Sequence, residues 1–404
     1  MKKVIALCLS LVFLAALISC ASGDEKDGVS TAPPAVSSPE SQQAPPSDMD
    51  GEDIVPPSQP AGEAAPQGYW EDDVDHQARE TYELCYAMPA ISVMHEMFMT
   101  AFRTFEDKLN FKLLTSSSDS NNEVYLQNLE VMASRGVDGF FVDSDQNISV
   151  RVKEVLEELG VPYVCFVQIM LDAQGHMAAP AVVLNGYDCG VKQADWFYAN
   201  YRSYWPDVAD TDIAYLDLTF TNSPDFKART DGVYDKFREY FPDNDLFFEL
   251  DMVNHMPTAD EAYDMVTPMF TTNPDVKYWY VTASAEMFGQ GVARAAEALN
   301  MEDRVVVTSV GIDIIQTEWA DGYEGCWAAS LGISNYDTCM PALVGLIALC
   351  DGRATPDTLW KERAVPGDAF GDNYGIWYVE TQMVTARTYR DYLDGILAKY
   401  GVPA

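Results

Sequence analysis

The chain has 404 residues, 48% of them hydrophobic and 12% aromatic, which is enough apolar side chain for a sizeable packed core. Its 63 acidic against 25 basic residues give a formal net charge of -38. That field excludes nucleic acid as a partner and opposes a strongly anionic ligand, while a neutral or cationic small molecule remains compatible.

At the N-terminus, Lys2 and Lys3 precede an apolar run from Val4 to Ile18, broken only by Cys8 and Ser10. The run is too short to span a bilayer comfortably, and small residues follow it, so it reads as an export signal. It ends in Leu17-Ile18-Ser19-Cys20, which resembles a bacterial lipoprotein signal. The resemblance implies that residues 1–19 are removed and that Cys20 carries the lipid anchor; an ordinary secretory signal with a chance cysteine is the alternative. From Ala21 to Gly68 there is no aromatic residue, and prolines recur among Ser, Ala, Gln, Asp and Glu. Such a segment cannot bury enough apolar surface to offset its ordering entropy and reads as a disordered tether over 20–79. As a coil it would hold its domain about 40 Å from the lipid.

From Tyr69 onward the chain is longer than one core usually serves, so two domains are expected. Strand-like runs alternate with helix-length segments. Tyr82-Ala87 is followed by a helix near Val93-Leu109, Phe111-Thr115 by Val124-Arg135, and Gly139-Val142 by Val150-Leu159. Tyr163-Val167 and Val182-Leu184 lead into a helix near Cys189-Tyr201. The pattern restarts with Ile213-Leu218, a helix near Ala228-Tyr240, Leu246-Leu250, Ala259-Phe270, Tyr278-Val281, Gly291-Leu299 and Val305-Val307. Continuous apolar strands joined by crossover helices imply parallel sheets covered on both faces. There are too many units for one ordinary open sheet. The expectation is an α/β protein with two doubly wound lobes and a cleft beyond the carboxyl ends of the strands.

Ser92 is a plausible N-cap for the first helix, and Gly136 and Gly160 are candidate C-caps. No P-loop, dinucleotide fingerprint, GxSxG elbow or HExxH motif occurs. The mature cysteines Cys85, Cys165, Cys189, Cys326, Cys339 and Cys350 lack CxxC or Cys/His ligand spacing, so no zinc site is expected; Cys85, Cys165 and Cys326 sit inside apolar runs, where a buried thiol is favoured over a disulfide.

An ordered set of short matches carries a family resemblance. Asp107-Lys108-Leu109-Asn110-Phe111, Asp119, Gln127, Gly136-Val137-Asp138-Gly139 and Leu159-Gly160-Val161-Pro162-Tyr163-Val164 resemble the first lobe of periplasmic sugar-binding proteins of the ribose/galactose-binding type. Arg229-Thr230-Asp231-Gly232, Asn273-Pro274-Asp275-Val276, the helix start at Glu286 and the strand ending in Gly311-Ile312-Asp313 resemble the second. The resemblance implies the type I periplasmic-binding-protein fold, two lobes joined by a multi-crossover hinge. It also implies an N-terminal lobe of 80–187 plus about 313–336, and a C-terminal lobe of 188–312 plus about 337–404. Carried over residue by residue, the ligand contacts would be Ser92, Met94 and His95 after the first strand, Arg229, the carboxylates Glu286 and Asp313, and a hinge residue near Ser330. Charged side chains suit sugar hydroxyls, which both donate and accept. The chain departs from the family pattern at Val167-Gln168, at Ala285 and at Met94-His95.

Other roles stand beside these. Arg229 could be a solvated helix residue, Glu286 a complement to a helix dipole, Asp313 an N-cap and His95 a packed polar residue. Trp319, Trp327 and Tyr336 could line the cleft, with core packing favoured. The combined expectation is a monomeric, membrane-anchored extracytoplasmic lipoprotein, without cofactor or metal, that closes around a small sugar-like ligand and delivers it to the permease of an ABC importer. A sensor for a membrane receptor is the alternative, and a surface hydrolase using Glu286 and Asp313 a more distant one.

Overall fold

In a computed structural model the chain is described over residues 74–221, 223–363 and 373–403. The expected signal peptide, the lipidated Cys20 and the tether up to residue 73 lie outside the described residues. The tether expectation ran to 79, and here the structure corrects it. His76 is buried, Gln77 donates to the Asp107 carbonyl, and the Arg79 guanidinium bonds the Leu109 and Asn110 carbonyls. Residues 74–79 are therefore part of the folded body.

In chain order the elements begin β1 (Tyr82–Met88), α1 (Val93–Thr104), α2 (Glu106–Leu109), β2 (Phe111–Ser117), α3 (Asn122–Ser134), β3 (Gly139–Val142), α4 (Ser149–Leu159), β4 (Tyr163–Val167) and β5 (Ala181–Val183). They continue with α5 (Gly186–Tyr204), β6 (Ile213–Thr219), α6 (Pro224–Tyr240), β7 (Phe247–Asp251), α7 (Ala259–Thr272), β8 (Tyr278–Ala283), α8 (Glu286–Ala298), β9 (Val305–Val310), α9 (Ile315–Ala320) and β10 (Trp327–Ile333). The chain closes with α10 (Asn335–Cys350), β11 (Ile376–Tyr378), β12 (Thr381–Val384) and α11 (Tyr389–Tyr400).

These strands form two six-stranded sheets, ordered β11-β5-β4-β3-β1-β2 and β12-β10-β9-β8-β6-β7. All the pairings are parallel except β10 with β12. Each sheet reverses its strand order between its first and third strands, β1 and β3 or β6 and β8. An open α/β sheet forms its ligand crevice at that point, beyond the carboxyl ends of the strands. The inner strands β3, β4, β6, β8 and β9 are buried along nearly their whole length because helices cover both faces, whereas the edge strands β2 and β7 are partly exposed. Phe102, Phe141, Phe166 and α10 fill one side of the first sheet, and Val137, Phe140 and Val152 the other. In the second lobe Trp279, Val281 and Trp327 lie on one face, with Phe197, Phe237 and Tyr280 on the other. Each fully buried side chain of this size contributes roughly 1.5–3 kcal/mol.

The lobe boundaries after residue 312 differ from expectation. Strand β10 pairs with β9 in the second sheet, so 313–336 does not belong to the first lobe. Conversely, α10 is buried on the first lobe's core and β11 pairs with β5. The physical reason is packing: α10 is apolar all round, its residues from Asp337 to Leu349 being buried, so it must sit inside a lobe. The chain thus passes between lobes at Leu184–Asn185, near Ser334 and at Val379–Glu380.

Candidate functional site

In the first lobe the loop after β1 turns into α1 through a capping box. The Ser92 N–H donates to His95 Nδ1 at 3.2 Å, and the Ser92 hydroxyl lies 2.7 Å from the same nitrogen. Because Nδ1 accepts, the imidazole proton sits on Nε2 and donates to Asp143 Oδ2 at 3.1 Å. Asp143 follows β3 directly, and Gln168 Nε2, just past β4, donates to its other oxygen at 3.3 Å. Burial pushes the Asp143 carboxyl above its ordinary range, while the His95 and Gln168 hydrogen bonds pull it back. Three strand ends therefore converge on one desolvated carboxylate. In the loop and first turn that lead to His95, Met94 is exposed, together with Ile91 at 56% and Val93 at 70%, unusual exposure for large apolar side chains on an acidic protein.

In the second lobe α5 and α6 approach closely enough to fix Arg229. A Cβ on Gly190 would lie 1.9 Å from the Arg229 carbonyl oxygen, and one on Gly232 would lie 2.1 Å from that of Tyr187. Arg229 is buried. Its Nη1 donates to the Ser284 carbonyl at 2.7 Å, Nη2 pairs with Asp225, and the guanidinium lies 4.7 Å from the centre of the Phe226 ring. Phe226 in turn neighbours Phe220, which follows β6, so an aromatic pair flanks this arginine.

Glu286 opens α8 beyond β8, yet its carboxylate turns away from solvent. Oε2 accepts the Asp313 N–H at 2.8 Å, and Oε1 accepts those of Ile314 at 2.9 Å and Ile315 at 3.0 Å. Burial pushes it up to about 7, with Asp313 repelling and the three N–H donors opposing that rise. Gly311, at φ +107°, makes this approach possible, since a Cβ there would come within 2.9 Å of Glu286 Cγ. Asp313 itself is half-buried, and its carboxylate makes no hydrogen bond or ion pair among the described residues. Desolvation alone raises it. Ser330 is fully buried in a chain of donors: Trp327 Nε1 donates to Ser309 Oγ, which lies 2.6 Å from Ser330 Oγ, and Ser330 donates to the Gly311 carbonyl.

The seven residues singled out in the sequence thus fall into groups. Ser92, Met94 and His95 lie at the carboxyl edge of the first sheet and Asp313 at that of the second, while Arg229 is engaged internally beside that edge. Glu286 and Ser330 are buried and hydrogen-bonded within the protein, Glu286 to backbone N–H groups and Ser330 to Ser309 and the Gly311 carbonyl. Trp319 and Trp327 are buried in the second lobe, and Tyr336 is half-buried against Phe105. Asp143 was missed, although Asp143-Ser144-Asp145 immediately follows the apolar run Gly139-Val142 and offered a signal. All six cysteines are free, and burial pushes their thiols up.

Residues 87–329 match the family model described as periplasmic binding protein domain. The chain belongs to that family. Solved structures agree on the fold. An ABC transporter solute-binding protein from Actinobacillus succinogenes with bound D-allose shares 15% identity at a TM-score of 0.60, over 77% of this chain and 100% of its own. A periplasmic ribose ABC transporter protein from Conexibacter woesei shares 13% at a TM-score of 0.62, over 79% and 96%. A 5-methylthioribose transporter solute-binding protein from Thermotoga lettingae shares 16% at a TM-score of 0.59, over 79% and 92%. No curated protein matches the chain. Members of the family are solute-binding proteins rather than enzymes, and the two sheets here are the two lobes of the type I periplasmic binding fold.

Proposed function

We propose that this chain is an extracytoplasmic lipoprotein, anchored through Cys20, that captures a small sugar-like molecule between its lobes and hands it to the permease of an ABC importer. The observation that carries this reading is the presence of two strand-end surfaces: His95–Asp143–Gln168 on one lobe and, on the other, Asp313, whose carboxylate has no hydrogen-bond partner among the described residues. Desolvated carboxylates make strong charge-assisted hydrogen bonds to hydroxyl or amine donors. The relatives' bound allose and 5-methylthioribose supply such donors, and the second adds an apolar substituent of the kind that Ile91, Val93 and Met94 could cover.

The cleft's charge narrows the ligand. Arg229 is neutralised by Asp225, and His95 is spoken for by Asp143. A neutral or cationic molecule with an apolar face fits these edges better than an anionic sugar. The hydrolase alternative is weakened because the Glu286 carboxylate is buried and already accepts three backbone N–H groups.

A thermal-shift screen against neutral sugars, amino sugars, nucleosides, polyols and sugar phosphates tests the reading. Ligand at a hundredfold excess over its dissociation constant stabilises the folded protein by about 2.7 kcal/mol, which raises Tm by several degrees. A response confined to sugar phosphates would overturn the charge argument.

A further inference from the structure

The C-terminal helix α11 makes contacts that its position in the chain does not require. It follows β12 and begins on the second lobe, where the Tyr389 ring lies 5.4 Å from that of Trp319. One turn on, Tyr392 packs over Gly332 of β10, so closely that a Cβ there would lie 2.9 Å from its ring. The helix ends on the first lobe. The Tyr400 ring lies 5.8 Å from Phe105 at the end of α1 and 5.9 Å from Tyr336 at the start of α10. Its hydroxyl donates to Asp337 Oδ1 at 2.6 Å, and Lys399 Nζ reaches the same oxygen at 2.6 Å. Asp337 is buried in the first turn of α10, immediately after the chain crosses from the second lobe. Among the described residues, these are the side-chain hydrogen bonds that join one lobe to the other; none spans the strand-end edges.

We propose that α11 is a fourth, non-covalent connection between the lobes, a strut whose Tyr400–Lys399–Asp337 end sets the angle at which the cleft stands open. It rests on the two-lobe reading above and supplies the regulation of that cleft. Hinge closure in this fold rotates one lobe about the crossovers near 184, 334 and 379. A helix packed rigidly on the second lobe and fastened to the first next to the middle crossover must slide, bend or release as that rotation proceeds. The state in which the latch is made is therefore favoured by its contacts, and ligand affinity carries that bias, because apparent affinity scales with the population of the binding-competent state.

The test is made without ligand, so its outcome does not depend on ligand identity. Spin labels on Glu130→Cys in α3 and Thr272→Cys at the end of α7 report the inter-lobe distance distribution by pulsed electron resonance, the six native thiols among the described residues being buried or half-buried. The double variant Lys399→Met, Tyr400→Phe keeps the side-chain stems and rings and removes both donors. Its distribution should broaden and shift by several ångströms, while Lys399→Arg, which retains the ion pair, should match the wild type. Tyr400→Phe alone, the milder change, should broaden the distribution in the same sense if the double variant melts early. A folded double variant, or single variant, whose distribution superimposes on the wild type overturns the strut.

Discussion

Glu286 and Asp313 were equivalent carboxylates in the sequence, each after an apolar strand of the second lobe, and their environments separate them. Glu286 spends both oxygens on the first turn of α9, whereas Asp313 is held half-buried with no partner among the described residues. Glu286→Gln would turn an NH2 group against backbone N–H donors, leaving buried groups unpaired at a cost of about 1–3 kcal/mol. Urea denaturation should show that loss in the unliganded protein. Asp313→Ala should leave unliganded stability nearly unchanged and weaken ligand binding by about ten- to a hundredfold, the worth of one charge-assisted hydrogen bond, as measured by titration calorimetry. The reverse pattern would exchange the two roles. Asp217 supplies a pH test. It lies fully inside β6 and accepts from Thr282 at 2.7 Å and Thr230 at 2.8 Å, and burial pushes it up to about 6 against those donors. A folded value above the unfolded one means the native state binds the extra proton. The stabilisation is therefore full below about pH 4 and is lost as pH rises through about 6. Asp217→Asn removes this titration, so stability relative to the wild type should rise between pH 4 and 7. A flat difference between the two urea midpoints across that range would contradict it.

At the scale of elements, the first four strands of the first lobe were legible because each is a mostly apolar run between turn signals. Tyr82, Phe111, Gly139 and Tyr163 begin strands in the sequence reading and in the structure alike. What followed residue 312 was not legible. Helix α10 carries no amphipathic stripe to say which lobe buries it, β11 has only three residues, and the place of β10 is decided by pairing with β9 rather than by local pattern. The site was half legible for the same reason: Ser92 and His95 form a local capping box, but the partners that bind Glu286 come from about 27 residues downstream. The α5–α6 contact is an element-scale feature with a sharp consequence. Gly190→Ala would drive a methyl into the Arg229 carbonyl, where backbone rather than a flexible side chain must yield. We expect a loss of about 1–3 kcal/mol or more, together with displacement of Arg229. A variant as stable as the wild type would show that the helices separate at little cost.

For the whole molecule, the folded body begins by residue 74, where His76 and Arg79 pack onto the first lobe. A chain starting at Val74 should melt with the same cooperativity as the mature protein, and Cys20→Ala should move the full-length protein from the membrane to the soluble fraction. The proposed capture requires the two lobes to close on the ligand. Small-angle X-ray scattering of the wild type, alone and saturated with a ligand found by the thermal screen, tests it most directly. The radius of gyration should be smaller in the ligand-saturated protein, with Asp313→Ala requiring more ligand to reach it. A bound ligand that leaves the radius of gyration unchanged, with its affinity untouched by Asp313→Ala, would contradict capture in this cleft.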